Sequence, residues 1–241
     1  MLLFSTASRV HARHIRPLFE PTDLEIDQPG VIDLDLQIGM ARSEDDAWRI
    51  VVPDFEVDLG LLPNVELDVD GAYAIEGSRH GLFSFDHPAP DTLWVSGKIG
   101  FYDVKNDPDQ RAFAFGMQLG PKLPVAPIAH GVGIEGVFLA ATNYKIAHAV
   151  WNAGGFVDSA ADRGPSRPTG IEVDLDLDLD ADQAFSLDAS VSGVHFLSSD
   201  ADQILTSAGV TWSVSDALDL SLCALVGWLA GGDRYGALLG V

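Results

Sequence analysis

From Gly30 onward the chain alternates apolar and polar residues with a period of two, and the polar half of the alternation is largely acidic. The clearest run is Glu172-Val173-Asp174-Leu175-Asp176-Leu177-Asp178-Leu179-Asp180. A β-strand sends successive side chains to opposite faces, so this run sets five carboxylates on one face and Val and Leu on the other. Along such a face neighbouring carboxylates stand about 7 Å apart. Their mutual repulsion is about 0.6 kcal/mol in water and many times that in a dry interior. The acidic face must therefore be wet or neutralised by cations, while the apolar face needs a core or a lipid to cover it.

The pattern repeats. Ile32, Leu34, Leu36, Ile38 and Met40 oppose Asp33, Asp35, Gln37 and Gly39. Phe55, Val57, Leu59 and Leu61 oppose Asp54, Glu56, Asp58 and Gly60, and across the turn Leu62-Pro63-Asn64 the run Val65, Leu67, Val69 opposes Glu66, Asp68 and Asp70. These two runs read as one hairpin. Further strands are expected near 92–102, 111–120, 131–142, 146–157, 170–180, 185–196, 203–214, 218–229 and 233–241, about twelve in all and each long enough to cross a bilayer at a tilt. The run 146–157 lacks clean alternation, and Pro53 demands a bulge or local break because it offers no N–H to the ladder.

Connections after strands 3, 5 and 7 are long (77–90, 121–130, 158–168), whereas those after strands 2, 6, 8 and 10 are short (62–64, 143–145, 181–184, 215–217). Such sorting is the habit of membrane barrels, with short periplasmic turns, long external loops and both termini on the periplasmic side. Trp212, Trp228, Tyr235 and Tyr73 fall toward strand ends, where interfacial aromatic girdles belong. No apolar run is long enough for a transmembrane helix, which leaves the closed barrel as the spanning solution. The expected fold is an all-β, antiparallel, up-and-down transmembrane β-barrel over 30–241. The segment 1–29 is a periplasmic lead-in whose start, Met1 to Ala12, reads either as a truncated signal peptide or as an ordinary tail.

Acidic residues outnumber basic ones 36 to 14, for a formal charge of −22, which argues against nucleic acid as a partner. The expected partners are outer-membrane lipid and a small solute or cations. In a twelve-strand barrel the Glu172/Asp174/Asp176/Asp178 wall lies across the lumen from the Asp54/Glu56/Asp58 and Glu66/Asp68/Asp70 wall, a lumen that repels anions and concentrates cations. Lys98 and Lys122 share the inner parity and are its candidate counter-charges. Cys223 reads as a small packing residue.

Other chemistry finds no support. Glu66-x-Asp68-x-Asp70-Gly71 is like the opening of an EF-hand loop, but the closing Glu falls one residue early at Glu76; it reads as a strand, and no metal site is expected. Gly131-x-Gly133-x-x-Gly136 has no helix after it to receive a phosphate. There is no G-x-S-x-G, H-E-x-x-H or paired-Cys pattern, and His148 and Asn152 share a parity without a Ser in the run to complete a triad. Neither an enzyme nor a cofactor is expected.

Several segments resemble the outer-membrane proteins grouped as the MetA-pathway of phenol degradation family. The resemblance is carried by the hairpin Phe55 to Leu67, by Leu93-Trp94-Val95-Ser96-Gly97-Lys98-Ile99, by Phe115-Gly116-Met117-Gln118-Leu119-Gly120-Pro121-Lys122-Leu123-Pro124 and by the last hairpin, Gly209 to Leu220. It spans about residues 50 to 241. It implies an outer-membrane barrel that passes small organic solutes and brings no catalytic residues to transfer. The acidity of strands 1 to 3 and 8 exceeds that pattern, and the terminal Leu239-Gly240-Val241 lacks the aromatic end of typical assembly signals. Two alternatives stand beside a channel: a non-transporting envelope barrel that acts through its long loops, and a soluble all-β binding protein.

Overall fold

A computed structural model of the chain describes residues 26–43, 48–76, 89–90, 93–103, 112–124, 131–158, 169–181, 184–197, 202–215, 217–229 and 233–241. Twelve long strands follow one another: β1 Ile32–Ser43, β2 Trp48–Leu62, β3 Val65–Glu76, β4 Leu93–Asp103, β5 Ala112–Leu123, β6 Gly133–Tyr144, β7 Ala147–Val157, β8 Thr169–Asp180, β9 Phe185–Phe196, β10 Gln203–Ser215, β11 Leu218–Gly227 and β12 Asp233–Gly240. A two-residue bridge, Ala89–Pro90, adds to the outer part of β3. Every strand pairs antiparallel with its sequence neighbours, and β12 pairs with β1 from Gln37↔Gly240 to Ser43↔Asp233. Reciprocal bonds between Leu36 and Val241 extend that seam. The sheet is thus closed on itself, and closure removes the exposed edges that an open sheet of this size would carry.

The alternation places the residues as expected. Ile32, Leu34, Phe115, Leu119, Ile171, Val173, Leu187, Leu222 and Leu239 all stand exposed on the outside. Phe138 is 68% exposed in the middle of β6. A soluble protein does not leave a continuous apolar belt of this kind in water, whereas a bilayer covers it. Aromatic residues mark both rims. Near the long-loop end the rings of Trp48 and Tyr235 meet edge-on at 6.2 Å, and the Trp228 indole donates to Thr206 Oγ1 at 3.0 Å. Near the short-turn end Phe185 stacks on Trp212 at 6.1 Å. The side chain of Tyr73, also expected in a girdle, lies outside the described residues.

Connections at one end are mostly short, such as 63–64 and 145–146, with 104–111 the exception, and the longest, 77–92 and 158–168, lie at the other end, where 44–47 is short. Both β1's start and β12's end lie at the short-turn end. The bulge expected at Pro53 is present: Val51 pairs with Ala74 and Asp54 with Ala72, so Val52 and Pro53 fall outside the ladder, and the peptide between them is cis. The bulge also switches parity, for Val51 is buried inside while Phe55 and Val57 keep the outer side.

β7 explains its own illegibility. Its inner face is His148, Val150, Asn152, Gly154 and Phe156, registered with Asp178, Asp176, Asp174, Glu172 and Gly170 of β8. Its outer face is mostly Ala147, Ala149, Ala153 and Gly155, interrupted by Trp151. Small residues toward lipid and bulky ones inward blur the hydropathy without altering the pleat.

Candidate functional site: the barrel interior

All twelve residues expected to line the lumen lie on the inner parity of their strands, and the ladder registers group them. On β1 to β3, Asp35 faces Glu56, Asp33 faces Asp58, Asp58 faces Asp68 and Glu56 faces Asp70. Like charges directly opposite across an antiparallel pair repel, so this three-strand acidic ladder is held against its own electrostatics by whatever fills the interior. Asp54 continues it toward the bulge, opposite Gln37.

Next to the ladder the interior is dry. Lys98 on β4 is registered with Glu66, and its Nζ lies 2.7 Å from Glu66 Oε1 and 3.6 Å from Asp68 Oδ2. Lys98, Glu66 and Asp68 are 0% exposed, and Asp58 is 1% exposed. Gln118 on β5 donates through Nε2 to Asp68 Oδ2 at 2.6 Å and to Ser96 Oγ at 2.8 Å. The chain just before β1 helps to enclose this corner. The Asp27 amide donates to Glu66 Oε2 at 2.5 Å. A Cβ at Gly60 would stand 2.3 Å from the Gln28 carbonyl oxygen, and one at Gly100 would stand 2.9 Å from Ile26. Both glycines lie on the inner parity, so their missing side chains leave the room that residues 26–28 occupy across the short-turn end.

Lys122 serves a separate network at the long-loop end. Its Nζ donates to Glu135 Oε2 at 2.6 Å, lies 2.8 Å from Asp158 Oδ1 and sits over the Phe156 ring at 5.2 Å. The two lysines are therefore not brought together: Lys98 belongs to β2–β5 near the short turns, and Lys122 to β5–β7 near the long loops.

Around the ring β8 stands six strands from β2 in either direction, so its acids form the opposite wall. Asp174 accepts from Ser192 Oγ at 2.5 Å, Asp178 is registered with Asp188, and Asp180 Oδ2 lies 3.1 Å from His148 Nε2. Asp174 and Asp176 are buried, and Glu172 and Asp178 half-buried.

Sequence reasoning missed Gln118, Ser96, Glu135 and Asp158 as partners, although Gln118 and Ser96 share the inner parity with the lysines and could have been found by following neutral polar residues along it. It also missed apolar inner residues. Trp94, Val137 and Leu139 form one buried cluster, and Cys223, Leu225 and Leu238 another, with Leu205 packed against it. Carboxylates thus face inward from two walls, and the strands between them turn a mixture of polar and apolar side chains inward.

No family model and no curated protein sequence matches the chain. Solved structures do. A NanC porin aligns over 86% of this chain and 98% of its own, with a TM-score of 0.55 and 11% identity. The fold is that of an outer-membrane β-barrel. A loop-deletion form of OmpT from Vibrio cholerae, at 8% identity, covers 88% of this chain and 98% of its own with a TM-score of 0.42. An anion-selective porin from Comamonas acidovorans, at 11% identity, covers 87% and 98% with a TM-score of 0.38. Identities this low speak to the fold and leave the finer resemblance to the phenol-degradation family without support from these matches.

Proposed function

We propose that the protein is a porin-like channel of the bacterial outer membrane whose interior favours small cations or cationic solutes over anions. The observation that carries this reading is the pair of inward acidic walls, β1–β3 and β8, in a closed barrel with an apolar belt outside. A ring of carboxylates in a narrow, low-dielectric passage raises the local concentration of cations and excludes anions. The wall at Glu66, Asp68 and Lys98 is sealed from water, so the path runs on the side of β7 to β10, where Glu172, Asp178 and Asp188 are half-buried. Lys122, held between Glu135 and Asp158, stands at the long-loop mouth of that side.

Reconstitution into a planar bilayer under a salt gradient tests the reading. The expected result is a conductance with a cation-selective reversal potential, reduced in the triple variant Asp174→Asn, Asp176→Asn, Asp178→Asn. A folded barrel that passes no current, or one selective for anions, overturns it. The second reading, a non-transporting envelope barrel, is favoured by one observation: residues 26–28 lie across the short-turn end against Gly60, Gly100 and Glu66. Absence of conductance from the folded chain is the outcome that selects it.

A further inference from the structure

We propose that Asp58, Glu66 and Asp68 form a binding site for one hard divalent cation such as calcium on the inner wall of β2 and β3. The inference rests on the closed barrel and stands whether or not the barrel conducts. The EF-hand-like run Glu66-x-Asp68-x-Asp70 folds as a strand, which removes the loop geometry but sets Glu66 and Asp68 on one face. Asp58 of β2 is registered directly opposite Asp68 and diagonal to Glu66. One carboxylate oxygen from each of these residues lies within 4.8 Å of the other two, and a second trio, Asp35, Glu56 and Asp58, shares Asp58 with the first.

That spacing lets three oxygens share one ion. Oxygens on opposite sides of a calcium ion stand about 4.6–5.2 Å apart, and those around magnesium about 4.0–4.2 Å. The donor set holds oxygen alone, without His or Cys, which suits calcium and disfavours zinc or copper.

Independent of the clustering of acids, two oxygens here lack a donor. Asp68 Oδ1 and the Gln118 amide oxygen are both buried without a hydrogen-bond partner, in side chains no more than 1% exposed. Gln118 has turned its nitrogen to Asp68 Oδ2 and Ser96, which fixes the amide and leaves its oxygen a buried acceptor without a donor. Orphaned buried acceptors cost on the order of 1–3 kcal/mol each, and charged ones more, so a ligand that is all acceptor-seeking charge is what this corner lacks. Lys98 supplies one such charge to Glu66 Oε1 and, at 3.6 Å, to Asp68 Oδ2, while Asp68 Oδ1 keeps no hydrogen-bond donor. A divalent ion on Asp68 Oδ1, Asp58 and Glu66 completes the corner and relieves the repulsion of the Asp58↔Asp68 pair.

Trp94 offers a reporter. It is registered with Asp70, one inner step along β4 from Ser96, and it is buried on the inside. The full chain, folded in detergent micelles and stripped with a chelator, is titrated with terbium, which takes calcium sites. The expected result is saturable tryptophan-sensitised emission from one ion per chain, displaced by calcium. Asp68→Asn weakens binding about tenfold or more, as loss of a charged ligand does. Asp202→Asn, an exposed carboxylate at the long-loop rim, leaves it unchanged. Trp94→Phe abolishes most of the emission while calcium binding, measured by equilibrium dialysis, persists. Absence of saturable binding to the wild-type barrel overturns the proposal, as does equal affinity in Asp68→Asn. Where Asp68→Asn does not give a heat-modifiable barrel, the Trp94→Phe result decides: undiminished emission places the ion elsewhere and overturns the site.

Discussion

Lys98 shows what a single interior residue holds in place. Its ammonium is fully enclosed and ion-paired to Glu66 and Asp68, themselves 0% exposed. Removing one partner of a buried ion network strands the remaining charges in a medium that does not solvate them. Lys98→Met is therefore expected to destabilise the barrel by about 3–5 kcal/mol, read as a lowered urea midpoint in chelator-treated micelles. A midpoint unchanged from wild type would show that the acids at this corner do not depend on Lys98. At the long-loop rim Asp202 behaves differently. Hydrogen bonds from the His195 ring at 2.9 Å and from the Phe196 amide at 3.1 Å hold its carboxyl below the usual range. A depressed carboxyl stabilises its contacts at all pH values above its unfolded value, and that contribution is lost as pH falls through the folded value. Protection of the Phe196 amide from hydrogen exchange is thus expected to persist from neutral pH down through pH about 4, the ordinary Asp value, and to drop only below it. In Asp202→Ala the protection should already be weak at neutral pH.

Elements carry information that residues taken singly do not. The lead-in before β1 is seated because two inner positions, Gly60 and Gly100, have no side chain, and at Gly60 the obstructing atoms are the carbonyls of Asp27 and Gln28. A Cβ there displaces backbone, so Gly60→Val is expected to expel residues 26–28 from the mouth. Faster hydrogen exchange at the Asp27 amide, which now donates to Glu66, is the direct readout. Exchange as slow as in wild type would mean that the segment is held by other contacts. The same scale explains what the sequence made legible. β1 to β3 and β8 could be read residue by residue because Leu, Val and Ile alternate with Asp and Glu, giving contrast at every step. β7 could not, because Ala and Gly face lipid while Val150 and Phe156 turn inward. Nor could the partners of the lysines be read. Glu135 and Asp158 meet Lys122 from β6 and from the end of β7, and that meeting depends on the registers Lys122↔Gly133 and Ile134↔Val157, which no local pattern encodes.

For the molecule as a whole, the decisive contrast is between its two surfaces. An all-β chain of this charge could have been a soluble sandwich with acids facing water; here the closed ring reverses that arrangement and turns the acids inward. Phe138 lies at mid-strand on the outer face, and Asn152, the residue after the outward-facing Trp151, is buried on the inner face of the adjoining β7. An arginine at a lipid-facing site near the bilayer midplane costs about 2–4 kcal/mol, whereas the same charge at a water-facing surface site costs little. Phe138→Arg is therefore expected to lower the unfolding free energy in lipid vesicles by that amount. In a soluble protein the same change at a residue 68% exposed would be nearly neutral and would improve solubility. Urea unfolding of the two proteins in vesicles separates the cases. A penalty at Phe138 that shrinks for the same substitution at Ile134, nearer the rim of the same strand, would place the apolar belt at the depth of the hydrocarbon core, and a flat profile along β6 would remove the bilayer from the account of its outer face.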